Sequence, residues 1–143
     1  MKHLLLFMTL LFASSLLFAQ SADAIVGKWQ NKDKDAHIEI YKRGSDYLGK
    51  IVWLKNPKDE KGKAKTDHNN PDASLRTRPI IGLEILKGFK YDDGEWSDGK
   101  IYDPKSGKTY SCMMTLNGNN KLNVRGYLGI SLIGRTDVWT RVD

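Results

Sequence analysis

The densest group of side chains that could do chemistry lies in residues 67–82, DHNNPDASLRTRPIIG. His68 follows Asp67 and precedes Asp72, which is a set that acid–base catalysis could use. Adjacent side chains in a polar loop usually point apart and titrate normally. An enzyme would need a pocket on which at least two of Asp67, His68, Asp72 and Arg76 converge, and the sequence alone favours a non-enzymatic protein without catalytic residues.

The same stretch offers oxygen ligands for a metal at Asp67, Asn69 and Asp72. Their spacing resembles that of a calcium loop, but Pro71 occupies the next ligand position, and the glycine and closing glutamate of an EF-hand do not follow. Zinc has less support, because two histidines and one cysteine remain after the N-terminal segment. We therefore predict no metal and no cofactor.

A structural role explains more of these residue types. Asn and Asp side chains cap turns by bonding nearby backbone groups, and Arg side chains reach carboxylates or carbonyls that an irregular loop leaves open. We predict a hydrogen-bonded brace, or lid, formed by Asp67, Asn70, Asp72, Arg76 and Arg78. Such a lid can also line a pocket mouth, where Arg76 or Arg78 would meet a carboxylate or phosphate.

The rest of the chain must position this loop, and it has the pattern of short β-strands separated by Gly, Asn, Asp and Pro. The predicted strands are 25–30, 37–42, 47–54, 81–87, 94–103, 109–117, 121–128 and 132–142. Sequential antiparallel strands hide their edges most simply by closing into an up-and-down barrel. The predicted fold is all-β, with about eight strands and one long polar loop between the third and fourth.

Alternation along these strands predicts which side chains point inward. One face of 109–117 carries Tyr110, Cys112, Met114 and Leu116, and one face of 121–128 carries Leu122, Val124 and Leu128. Cys112 is therefore expected to be an inert core thiol. An eight-stranded barrel is either filled or holds one small ligand. If it is hollow, the candidate lining residues are Tyr110, Met114, Trp53 and Trp96.

The N-terminus has the layout of a secretory signal, with Lys2, an apolar run over 4–18 and small or polar residues over 19–24. The run is short for a membrane span, and it lacks the cysteine that a lipoprotein signal needs. We predict a removed signal peptide, 1–19, followed by a single barrel domain, 20–143. The expected location is the periplasm or the medium.

The charge pattern suggests partners without naming one. The formal net charge of +6 falls to about +5 when Lys2 is removed, and a basic exported protein can meet anionic headgroups, cell-wall polymers or acidic partners. No nucleic-acid motif accompanies the charge, so we predict no nucleic-acid binding. The lysine-rich segment 55–66 is typical of a solvated loop.

Several blocks of the sequence resemble known proteins. Gly27-Lys28-Trp29 and Arg141 in VWTRV resemble the lipocalin-like, or calycin, pattern, in which the arginine stacks on the indole across the closed end of the barrel. The blocks 67–86, 96–112 and 124–142 resemble bacterial domain-of-unknown-function family 2147. That resemblance implies a small exported lipocalin-like barrel without an assigned activity, and a structural role for Gly27, Trp29 and Arg141.

Two functions remain open at this point. The first is a barrel in the bacterial envelope that binds a small apolar or amphiphilic molecule. The alternative is a filled barrel that acts as an interaction module without ligand or catalysis, using Tyr127, Trp139 or the lysine-rich loop as contact groups. The sequence leaves the oligomeric state open.

Overall fold

The computed structural model describes residues 21–142. The predicted signal peptide, 1–19, lies outside these residues. Two short 3₁₀ helices, η1 (Ala22–Ile25) and η2 (Ala73–Leu75), accompany the strands. The strands are β1 (Gly27–Gln30), β2 (Ala36–Arg43), β3 (Asp46–Leu54), β4 (Glu84–Asp92), β5 (Glu95–Asp103), β6 (Lys108–Asn117), β7 (Lys121–Tyr127) and β8 (Gly134–Val142).

These strands form a closed antiparallel barrel in which each strand pairs with its sequence neighbours and β8 returns to β1. The predicted fold class is confirmed, including the long connection between β3 and β4. β4 begins later than predicted because residues 80–83 form a turn, in which the Leu83 N–H donates to the Ile80 carbonyl at 3.1 Å. Among residues 21–142, no helix is long and apolar enough to cross a membrane.

The two ends of the barrel differ. At one end η1 and the short links 44–45, 93–94 and 118–120 close the barrel, and at the other lie the connections 31–35, 55–83, 104–107 and 128–133. The β4–β5 link is an Asp-Gly turn whose two residues have φ of 45° and 84°, which suits the twist of a tight hairpin. The end with η1 and the short links is the closed end of the barrel. The end with the longer connections is the open end.

Aromatic side chains fill the closed end beneath η1. Trp29 and Trp96 are fully buried, and each indole N–H donates to an η1 carbonyl at 2.9 Å, that of Ile25 for Trp29 and that of Ala22 for Trp96. The Tyr47 hydroxyl donates to the Asp23 carboxylate. Large aromatic rings with a polar edge thus pack the core and, at the same time, make hydrogen bonds to polar groups of η1.

Arg141 fastens this closure from the last strand. Its guanidinium lies 4.3 Å from the centroid of the Trp29 ring. It donates hydrogen bonds to the carbonyls of Asn119 at 2.8 Å, Val26 at 3.1 Å and Ala24 at 2.6 Å. A planar guanidinium can stack on an indole and still donate to several carbonyls, which a lysine cannot do.

Two inward predictions are wrong. Trp53 is 40% exposed and stacks on His37, with the ring centroids 4.3 Å apart. A bulge causes this, because Ile38 pairs with Ile51 while His37 pairs with Trp53, and the extra residue reverses the alternation. Leu128 is 66% exposed, because β7 ends at Tyr127 and Leu128 starts the following loop.

We predict that Arg141→Lys lowers the free energy of unfolding by about 1–3 kcal/mol, because a lysine cannot replace the set of hydrogen bonds to η1. Gly27→Ala should also destabilise the barrel. Gly27 has φ of 137°, and a Cβ there would lie 2.8 Å from Arg141 Nη1. Urea unfolding measures both changes. Arg135→Lys, on an exposed part of the same strand, is the control, and equal losses in Arg135→Lys and Arg141→Lys would contradict the role given to Arg141.

Candidate functional site

A cavity of about 1670 Å³ enters the barrel from its open end. Its volume exceeds the usual range for ligand pockets because it includes the space between the surrounding connections. The inner part is lined by apolar side chains from at least six strands, with Ile38, Ile51, Ile85, Ile101, Val124 and Trp139 among them. Ile38, Ile51, Ile85, Val124 and Trp139 are at most 7% exposed, so the cavity reaches only the outer edges of these side chains. The cavity therefore lies at the open end of the barrel, above a packed core.

The rim of this cavity is charged. The lining cations are Lys32, Lys58, Lys61, Lys65, Lys105 and Arg135. Acidic residues lie among them, and Lys105 pairs with Asp35 at 2.9 Å. An apolar interior below a charged rim suits a molecule with an apolar part and a polar end.

Asp137 contributes a polar atom to the cavity wall. Its Oδ2 accepts a hydrogen bond from Arg135 at 3.2 Å. Its Oδ1 is buried without a hydrogen-bond partner, and Lys32 Nζ lies 3.9 Å from it. A buried acceptor without a donor is costly, so a hydroxyl or ammonium group of a ligand would find a favourable position here.

The loop beside the cavity is held by one buried carboxylate. Asp67 is fully buried, and it accepts hydrogen bonds from the Tyr102 hydroxyl at 2.6 Å, Asn70 Nδ2 at 2.8 Å and Arg78 Nη2 at 3.0 Å. Its N–H also donates to the Arg78 carbonyl at 2.8 Å. Residues 67 and 78 are thus joined to each other and to the barrel wall.

These hydrogen bonds shift the pKa values of Asp67 and Tyr102. Burial alone would raise the pKa of Asp67, but the hydrogen bonds from Tyr102, Asn70 and Arg78, with the positive charge of Arg78, outweigh it and hold the pKa below its usual value. Burial and the bond to Asp67 raise the pKa of Tyr102 to about 12. Asp67 is therefore an ionised structural group near neutral pH.

Further contacts extend this brace. Arg76 Nε donates to the Asn70 carbonyl at 2.7 Å, and the Asp72 carboxylate caps η2 by accepting from the Ser74 N–H at 3.0 Å. Asn69 Nδ2 donates to the carbonyl of Lys105 at 3.0 Å. The loop is therefore bonded to the β5–β6 connection as well as to itself.

The contact between Asn69 and the β5–β6 connection requires a glycine at position 107. Its φ is 73°, and a Cβ at this position would lie 2.0 Å from the Asn69 carbonyl oxygen. Any side chain would therefore separate the β5–β6 connection from the brace.

Of the residues proposed to contact a ligand, Tyr110 lines the cavity. Met114 and Trp96 are buried in the core, and neither is among the residues that line the cavity. Arg76 and Arg78 also lie outside the cavity lining, because the brace uses their guanidinium groups. The structure thus places both arginines in the brace, Arg78 on Asp67 and Arg76 on the Asn70 carbonyl, and not at the cavity mouth.

The sequence does not predict the roles of two residues near the site, Tyr102 and Asp137, and it places a third, Trp139, on the wrong side of the barrel wall. Tyr102 was not singled out, although it carries the shortest bond to Asp67. Asp137 was also missed, and alternation along β8 with Trp139 could have placed it inside. Trp139, proposed as an exposed contact group, is 5% exposed and lines the cavity.

The residues weighed for chemistry do not converge. His68 is exposed, with Nδ1 3.2 Å from the Thr66 carbonyl oxygen. Burial raises the pKa of the Cys112 thiol to about 12, which makes it a poor nucleophile. Within residues 21–142 no three His, Cys, Asp or Glu residues form a group that could hold a metal ion.

Comparison with known families matches residues 27–141 to the model described as "Uncharacterized protein conserved in bacteria (DUF2147)". The chain belongs to this family. Among solved structures, a Helicobacter pylori protein, HP1028, described as belonging to the lipocalin family, is similar to this chain. The two share 23% identity over 83% of each chain with a TM-score of 0.74, which shows the lipocalin fold. A search of curated proteins finds no match.

We predict that Asp67→Asn lowers the free energy of unfolding by about 1.5–3 kcal/mol near neutral pH, because hydrogen bonds to a buried charge are lost. The folded pKa of Asp67 lies below its unfolded value, so this contribution is present above pH ~4 and disappears as the pH falls through the folded pKa. Urea unfolding of both proteins over a pH series should show the two stabilities converging in acid.

Asp72→Asn is the matched control, because asparagine also serves as a helix cap and Asp72 is exposed. It should have a smaller effect than Asp67→Asn. A stability difference between wild type and Asp67→Asn that stays constant through acid pH would show that the charge of Asp67 does not matter.

Proposed function

We propose that this DUF2147 protein is an exported carrier or binding protein that holds one small amphiphilic molecule in the open half of its barrel, without catalysis. The observation that carries the proposal is the cavity with apolar walls and a charged rim. The fold is compatible with this role, because eight strands enclose just enough space for one small ligand.

The arrangement of the cavity supports an orientation for the ligand. An apolar chain or ring would lie against the half-buried side chains of Leu54, Ile101 and Tyr110, where contact with water is lost. The polar end would lie near the rim, within reach of Lys32, Arg135 and the free Oδ1 of Asp137. A carboxylate, phosphate or hydroxyl group would find a partner there.

The contacts also support a binding role over an enzymatic one. Asp67 and Asp72 could act with His68 in acid–base chemistry, but both have structural partners, and of the three only His68 lines the cavity. Asp67 is held by Tyr102 and Arg78, and Asp72 caps η2. The Cys112 thiol is fully buried.

Export is part of the proposal. It is supported by the charged, apolar and small-residue order of the first 24 residues. N-terminal sequencing of the protein recovered from the envelope, with an expected start at Gln20, tests this part by itself.

Native mass spectrometry of protein purified gently from the envelope tests the binding role. We expect a stoichiometric small molecule that is released on denaturation. A protein mass without ligand, together with no thermal shift on adding fatty acids, lipids or divalent metals, would favour an interaction module instead.

We predict that Gly126→Leu weakens binding of 1-anilinonaphthalene-8-sulfonate by roughly tenfold or more, because the new side chain occupies the cavity. Gly126 lines the cavity, and a Cβ there would meet Ile101 and Tyr110 at an ordinary 3.7 Å. The barrel should therefore still fold. Fluorescence titration measures the affinity, and urea unfolding checks the stability.

Val138→Leu is the control, since Val138 is 44% exposed and does not line the cavity. It should bind the dye as the wild type does. Equal affinity of Gly126→Leu and the wild type would place the binding site outside the barrel.

A further inference from the structure

The loop between β7 and β8 exposes an unusual amount of apolar surface. Leu128, Ile130, Leu132 and Ile133 are 66%, 59%, 85% and 69% exposed. Single exposed apolar residues are common on protein surfaces, but a contiguous apolar patch marks an interaction site. The barrel core uses none of these four side chains.

The fold holds this loop in position. Arg125 Nε donates to the Ser131 carbonyl at 2.8 Å, and Arg125 Nη1 donates to Thr136 Oγ1 at 2.9 Å. The Ile133 N–H donates to the Ile130 carbonyl at 3.1 Å. The apolar side chains are thus displayed by a braced turn.

The connections at the two ends of the barrel differ in charge, and this difference points to one kind of partner for the loop. The open-end connections 31–35, 55–83 and 104–107 carry ten Lys or Arg and six Asp or Glu. At the closed end, η1 and the links 44–45, 93–94 and 118–120 carry two acidic residues, Asp23 and Asp93, and no basic ones. An apolar loop at an end of the barrel whose connections carry net positive charge is complementary to an anionic bilayer. Apolar side chains enter the headgroup region of a bilayer, and cations meet the lipid phosphates.

We propose that the open end of the barrel docks on an anionic lipid bilayer, with residues 128–133 inserted among the headgroups. Leu128 and Ile133 belong to this loop and also line the cavity from its exposed mouth, so the docked barrel faces the membrane with its cavity mouth. Docking does not depend on ligand binding, because Ile130 and Leu132 lie outside the cavity lining. If the cavity binds an amphiphile, this geometry makes the membrane its source or destination.

Vesicle co-sedimentation tests the docking, with phosphatidylcholine vesicles that contain phosphatidylglycerol and vesicles of phosphatidylcholine alone. We expect the processed protein to bind the anionic vesicles more tightly, and high salt to weaken that binding. Ile130→Asn/Leu132→Asn should reduce binding by roughly tenfold or more per side chain, because each loses the gain from leaving water. Dye binding in the cavity should stay unchanged in this variant.

Val26→Asn is the matched control, since Val26 is 41% exposed at the closed end and should bind vesicles as the wild type does. Lys63→Glu should reduce binding to the anionic vesicles by roughly tenfold, whereas Lys121→Glu at the closed end should not. No vesicle binding by the wild type, or equal binding by the loop variant, would overturn the proposal.

One further outcome would also overturn it. If the wild type self-associates in light scattering without binding vesicles, and Ile130→Asn/Leu132→Asn is monomeric, the loop is an interface between copies of this chain. If the protein binds the dye but not the vesicles, the docking proposal is refuted and the ligand cavity is not. If the protein binds the vesicles but not the dye, the proposed ligand cavity is refuted and the docking is not.

Discussion

The hydrogen bonds from Arg141 to the carbonyls around η1 are the contact on which the barrel depends. β1 has four residues and pairs with β8 at three positions, yet it must close the ring. Arg141 strengthens this short seam, because one guanidinium joins β8 to the segment before β1 and to the β6–β7 link. A sheet with a free edge would expose unpaired backbone groups, and this contact helps to prevent that.

Closure at one end determines where a site can form. The rings of Trp29 and Trp96 occupy the space beneath η1, so the cavity lies at the other end, which the long connections surround. The longest connection, 55–83, would lose much conformational entropy if it were ordered without other contacts. Asp67 offsets that cost by joining the two ends of the loop through Arg78 and by joining the loop to the wall through Tyr102. The brace and the cavity wall therefore meet at Tyr102, which lines the cavity as well as bonding Asp67.

The sequence predicts the eight strands well because alternation and turn residues are local signals. It predicts the residue types of the brace for the same reason, since Asp67, Asn70 and Asp72 bond within a few positions of themselves. It misses Tyr102 because that contact spans 35 positions and depends on barrel register. It misplaces Trp53 because a bulge changes the side of every residue that follows it, and no residue type in β3 marks the bulge.

Cys112 lies at the centre of β6, opposite Gly99 on one side and Gly126 on the other. The chain has a single cysteine, so no internal disulfide contributes to the fold, and folding does not require an oxidising compartment. A fully buried thiol becomes accessible to an alkylating reagent when the surrounding strands separate. The rate of Cys112 alkylation therefore reports how often the barrel opens, without any introduced label.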